Sequence, residues 1–412
     1  MTQWTPEWSL AINGVDYTNV TLSNLTIATG RTDIYSQPRA GYCSVDILNL
    51  DLTPIVIDVN DGVSIKVKNS AGTFVNLFGG DVTDIETIVT STGTGGVNEL
   101  VKLTALGALS KLPKTLTEGV LSKDFDGNQI YEILSQTLFN TWAEVPAALT
   151  WATYDPTTTW ANAENSGLGE IDRPGNYELM ARSSSETDIY SLVSALATSG
   201  LGYLYEDNQG RIGYADSTHR SSYLSANGYV DLSANDALAA NIRLIKRLGD
   251  IRNTVSIQWR SGTKTASSLD SIQQYGSQAQ IIATSLHNAT DATDQANFYL
   301  TLRAYPQNQF NSITFTLGNP EIDDVDRNAL LGVFMGLPLN ITNLPSNMID
   351  GEFQGFVEGW SWRAGYNRLD LTLTLSPTAY SLQAVRWNDV SVTETWNTVS
   401  STLEWLNATT VA

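Results

Sequence analysis

Two stretches near opposite ends of the chain follow one pattern, and that repetition limits the folds open to it. Phe353-Gln354-Gly355-Phe356-Val357-Glu358-Gly359-Trp360 reads F-x-G-x-V-x-x-apolar, and so does Phe78-Gly79-Gly80-Asp81-Val82-Thr83-Asp84-Ile85. The later copy opens a β-hairpin. Leu369, Leu371, Leu373 and Leu375 alternate with Asp370, Thr372, Thr374 and Ser376, the period-two pattern of a strand with one buried face. Phe356, Trp360 and Trp362 are expected to share one face of the preceding strand, and Ala364-Gly365-Tyr366-Asn367 supplies the turn. The earlier copy is also followed by a turn and an alternating strand, Glu99–Ala105. The chain therefore reads as two related β-domains.

The stretches between and around them divide by composition. Residues 1–112 read as the first β-domain, with Asn13-Gly14 as a hairpin turn and further short strands at Val20–Ala28, Tyr42–Leu48, Val63–Lys68 and Val82–Val89. Residues 113–227 read as an inserted α+β domain. It holds amphipathic helices over Ile130–Phe139 and Thr187–Thr198 and a hairpin over 202–214. Residues 228–377 read as the second β-domain, with one helix-like run at Asp291–Arg303. The tail, 378–412, carries Trp387, Trp396 and Trp405 at nine-residue spacing, too short a repeat to build its own core, so these rings are expected to pack on something outside the repeat. The fold class is mainly β with an inserted α+β domain.

Composition narrows the function. The chain has 412 residues, 42% hydrophobic and only 16% charged, against about 25% charged in an average soluble domain. Its 43 acidic and 23 basic residues leave a net charge of −20, which argues against a surface that grips phosphates. One cysteine, Cys43, excludes an intrachain disulfide framework and a cysteine-rich metal site; it alternates with Val45 and Ile47 as a small core residue. The opening MTQWTPEWSL lacks the basic and apolar regions of a signal peptide, and no run nears the roughly 18 apolar residues of a membrane span.

Catalytic motifs are not legible. His219 and His287 stand in loop-like or polar settings outside any triad or zinc pattern. The run Glu321-Ile322-Asp323-Asp324-Val325-Asp326 reads as a solvated loop beside Arg327. Asp124-Phe125-Asp126-Gly127-Asn128 alternates oxygens like a calcium loop, but its glycine comes two positions early and Ser135 stands where the closing glutamate belongs. The loop Ser91–Gly96 has glycines without the Lys-Ser/Thr helix of a phosphate loop and reads as a hairpin tip. No catalytic residue, metal or cofactor is expected. Trp142, Trp151 and Trp160, again nine apart, are either a platform for stacking on sugars or filling for a core or subunit interface.

The order of these parts resembles the tail hub proteins of tailed bacteriophages. SLAINGVDYTNVTLSNLTIATGRTDIYSQPRAGYCSVDILN followed by LFGGDVTDI looks like the first half of the minor tail proteins of long non-contractile-tailed phages, and DIRNTVSIQWR with FQGFVEGWSWRAGYNRLDLTLTLSP looks like the second. The resemblance covers roughly residues 8–377. It implies a homotrimer whose chains each contribute two tube-like β-domains, so that six similar units match a sixfold tail tube above and a threefold tip below. It places Phe78, Gly80, Val82 and Ile85, with Phe353, Gly355, Val357 and Trp360, in that ring. It also implies a virion location, contacts with a distal tail or tube protein, a tape-measure protein and tip, spike or fibre proteins, and DNA passing through without specific binding. The Trp tail would anchor a neighbouring tip protein. The alternative expectation is a host-glycan-binding tail protein that uses the middle-domain tryptophans.

Overall fold

The computed structural model describes residues 4–382 except 18–19, 35, 50–54, 94–95, 142–169, 237–241, 243, 311, 347, 349–350 and 366. Trp142, Trp151, Trp160, Trp387, Trp396 and Trp405 therefore lie outside the described residues. The protein is mainly β, and its largest sheet has twelve strands among the described residues. The first seven follow chain order: β1 (Trp8–Ile12), β2 (Val15–Tyr17), β3 (Val20–Gly30), β4 (Arg39–Asn49), β5 (Gly62–Lys68), β6 (Phe74–Gly93) and β7 (Gly96–Leu106). A hairpin of β8 (Tyr203–Glu206) and β9 (Ile212–Ala215) comes next, then β10 (Val230–Ser233) and β11 (Leu244–Ile245). A three-stranded sheet holds β12 (Thr254–Trp259), β13 (Gly262–Ser267) and β14 (Ala279–Ala283). The chain then returns through β15 (Gln309–Phe310) and β16 (Ile313–Thr316) to β17 (Pro338–Thr342), β18 (Phe353–Gly365) and β19 (Arg368–Pro377).

The large sheet runs β10-β17-β18-β3-β4-β7-β6-β5-β1-β2, with β19 on the other edge of β18 and β16 beyond it. Its two ends do not pair with each other among the described residues, so the sheet is open. Alternation in the sequence explains its burial. Cys43, Val45 and Ile47 on β4, and Leu369, Leu371, Leu373 and Leu375 on β19, are all buried, with polar residues between them. They join Trp360 and Trp362 in the first core.

A second core gathers helices α1 (Asp126–Thr141), α2 (Ile189–Ser199) and α5 (Ala289–Arg303), with β12 and β14. Ile130, Ile133 and Leu134 on α1 meet Leu192, Val193 and Leu196 on α2, the i, i+3, i+4 stripes visible in the sequence. Asp188 caps α2 by accepting from the Ser191 N–H at 2.8 Å. Val255 and Ile257 also belong here, so the stretch 228–377 is divided between the two cores. The hairpin β8–β9 is the shared wall. Tyr203, Tyr205 and Ala215 face the first core, while Leu204, Ile212 and Tyr214 face the second.

Short helices appear where the sequence pattern marks none. His219 opens helix α3 (His219–Asn227) and is buried, so its loop-like reading is corrected. Leu269–Tyr275 forms α4, and Asp324–Leu331 forms α6. The acidic run at 321–326 is largely exposed, as expected, but from Asp324 on it is the first turn of α6 rather than loop. Asp323 caps α6 by accepting from the Asp326 N–H at 2.8 Å, and buried Arg327 donates to the Leu317 and Ile322 carbonyls.

Candidate functional site

The two F-x-G-x-V stretches lie in one sheet with three strands, β3, β4 and β7, between them, and they are built alike residue by residue. Phe78 lies opposite Ile65 and Gly80 opposite Val63; Phe353 lies opposite Ile341 and Gly355 opposite Leu339. Val82 then faces Ala105 and Ile85 faces Leu103, as Val357 faces Leu375 and Trp360 faces Leu373. In both strands the register slips just after the valine, leaving Thr83 and Glu358 as bulged residues. The bulge changes parity. Phe353, Val357, Trp360 and Trp362 share the first core, whereas Phe356 is buried on the other side against Arg220. Phe356 therefore does not share the face of Trp360 and Trp362.

The surroundings match too. The Val82 N–H donates to the Asp61 carbonyl (2.9 Å) and its carbonyl accepts from Asn60 (2.7 Å); Val357 donates to Leu337 (3.0 Å) and accepts from Gly336 (2.8 Å). Asn60 and Gly336 both have left-handed φ angles, 71° and 92°. A Cβ on Gly80 would press on the Leu106 carbonyl and the Phe78 ring, and one on Gly355 on the Ser376 carbonyl and the Phe353 ring. The parallel extends outward. Val45 lies opposite Leu103 as Ile313 lies opposite Leu373, and Ala28 opposite Tyr42 as Leu244 lies opposite Phe310.

Where the two halves meet, β18 lends its free edge to β3. Gly359 pairs with Gly30 and Trp362 with Ile27. The bulged Glu358 turns its carboxylate into this seam. Arg31 Nε donates to Glu358 Oε2 at 2.7 Å, and Arg220 donates to both carboxylate oxygens at 2.7 and 2.9 Å. The Ser376 hydroxyl adds a fourth bond at 2.5 Å. The Arg220 guanidinium lies 4.8 Å from the Tyr203 ring centre and 5.0 Å from that of Phe356. Burial alone raises a carboxylate pKa, but the two guanidiniums outweigh it and hold Glu358 at about 2. Glu358 lies inside the repeated motif and was not singled out from sequence. Its signal is the three-residue step from Val357 to Trp360, which breaks period two and marks a bulge.

A second group of carboxylates braces the inserted region. Asp126 accepts from the Asn176 and Tyr177 N–H groups (2.9 and 2.8 Å) and from the Tyr214 hydroxyl (2.5 Å). Burial lifts its pKa to about 6. Asp172 accepts from the Asp216 N–H (2.8 Å) and lies 2.9 Å from His219 Nδ1. Glu206 accepts from the Gly41 and Leu109 N–H groups, tying β8 to β4, and burial lifts it to about 7. A Cβ on Gly41 or Gly107 would collide with this carboxylate. These contacts are chiefly to backbone N–H groups, which is bracing geometry. Among the described residues, no group of three or more histidine, cysteine or acidic side chains is placed to hold a metal ion.

No protein-family model and no curated protein matches the sequence. Solved structures do match. The 43 kDa tail protein of prophage MuSo2 from Shewanella oneidensis aligns with a TM-score of 0.53 and 11% identity, over 92% of this chain and 99% of that one. A tail protein from Neisseria meningitidis MC58 aligns with a TM-score of 0.53 and 14% identity, over 92% and 98%. The chain has the fold of these tail proteins.

Proposed function

We propose that this chain is a structural hub protein of a phage tail tip, acting by geometry and without a catalytic step. The observation that carries the reading is the twin hairpin with its matched register, bulge and glycine contacts, in a chain with a tail-protein fold. A trimer can present six similar units only if every chain carries two, and β3–β7 with β11 and β15–β19 are two such units. On this reading the ring adapts a sixfold tail tube to a threefold tip and lines the DNA channel. The net charge of −20 suits a channel through which DNA slides without adhering. Its partners on this reading are a distal tail or tube protein, a tape-measure protein and the tip, spike or fibre proteins, with Trp387, Trp396 and Trp405 as the anchor for one of the last.

Light scattering on the purified chain across a range of concentrations, with negative-stain images of the peak, tests this. The expected result is three times the 44.8 kDa chain mass and a ring with six lobes. A monomer at every concentration, alone and mixed with a tube protein, goes against the hub.

A further inference from the structure

The two units are alike, but their edges are not equally occupied. In the second, the far half of β18 is covered by β3, and Trp360 and Trp362 are buried there, at 3% and 0% exposure. The corresponding stretch of β6 is Asp84–Ile88. Its neighbours are β7 on one side and, before the bulge, β5 on the other; among the described residues no strand covers the far half on the β5 side. Asp84, Glu86 and Thr87 are exposed and Ile85 is only half-buried. Likewise β11 matches β3, since Leu244 lies opposite Phe310 as Ala28 lies opposite Tyr42. β11 pairs with β15 on one edge and with no other strand among the described residues. The chain thus carries one satisfied joint and the two separate halves of a second.

We propose that β11 of one copy adds antiparallel to Asp84–Ile88 of the next, so that a second copy of this chain completes each unit. This rests on the hub reading above and gives it an interface. Carrying over the β18–β3 register, in which Ser361 lies opposite Ala28 and Trp360 opposite Thr29, places Glu86 opposite Leu244 and Ile85 opposite Ile245. Charge favours the same pairing. Asp84 and Glu86 stand on one edge and Lys246 and Arg247, both exposed, follow the other. Arg247 also stands three residues after Leu244, as Arg31 stands three after Ala28, and Arg31 is the residue that grips Glu358 across the intrachain joint. The end of the joint at the bulge departs: Lys246 and Asp84 take the places of Gly30 and Gly359, whose missing Cβ atoms let the backbones approach, and Thr83 takes the place of Glu358, so the acid within reach of Lys246 and Arg247 is Asp84 and the joint opens at that end.

The test is a chain carrying Ile85→Cys and Ile245→Cys, oxidised after purification. Residues directly opposite on antiparallel strands are close enough for a disulfide, and native Cys43 is fully buried. Covalent species ending at three chains, absent from either single variant, are expected. A three-chain mass in solution with no cross-link overturns this interface and leaves the hub reading standing. A ladder running past three chains supports the edge pairing and overturns the closed ring. A chain that is monomeric and gives no cross-link overturns both. An independent variant, Asp84→Lys with Glu86→Lys, is expected to weaken assembly by about tenfold or more, and adding Lys246→Glu with Arg247→Glu to restore it. Assembly unchanged by the first pair overturns the proposal.

Discussion

Glu358 is the most constrained single residue in the chain, because a bulge aims it and two arginines hold it. A buried ion pair gains little over well-packed apolar groups, yet losing one partner strands the others. Glu358→Gln leaves Arg31 and Arg220 buried without their counter-charge and is expected to cost about 3–5 kcal/mol, read as a large fall in the thermal midpoint. A variant that melts with the parent would show the network to be dispensable. The carboxylates also set a pH profile. Glu170 and Glu206 titrate near 7 and Asp126 near 6, since burial disfavours their charged forms; folded protein then holds protons that the unfolded chain has released. Stability from this source falls as pH rises between about 4.5 and 7. Glu358 has the opposite sign: its depressed pKa contributes above 4.5 and is lost as pH falls toward 2. The thermal midpoint is expected to peak at about pH 4. A midpoint climbing steadily from pH 5 to 8 would contradict these assignments. None of this was legible at the residue scale, where an acid in an aromatic strand and a lone histidine look like any polar residue until their neighbours are placed.

Elements were more legible, because periodicity reports which face is buried. The strands of the twin hairpins, α1, α2 and α5 follow from alternation or from i, i+3, i+4 stripes. The helices α3, α4 and α6 did not, since each is short and its buried face holds few apolar residues. The division of 228–377 between two cores was equally hidden: residues 254–303 have ordinary strand and helix patterns, and only the contact partners say which core they enter. The matched hairpins yield a test at this scale. Gly80→Ala and Gly355→Ala each push a Cβ into a carbonyl of the neighbouring strand, so both are expected to destabilise, by similar amounts of about 1–3 kcal/mol. If one is costly and the other silent, the two sites are not equivalent.

At the scale of the whole molecule, the β8–β9 hairpin joins the two cores and the Glu358 seam joins the two halves of the large sheet. The seam has a further consequence in time. Arg31 and Glu358 are 327 residues apart, so β3 leaves the ribosome long before β18 exists to cover it. At typical synthesis rates that interval is on the order of half a minute. Throughout it, the nascent chain displays an uncovered strand edge beside a finished neighbour, the kind of surface to which other chains add. Cells making this protein in quantity therefore face a co-translational hazard that the mature molecule no longer shows.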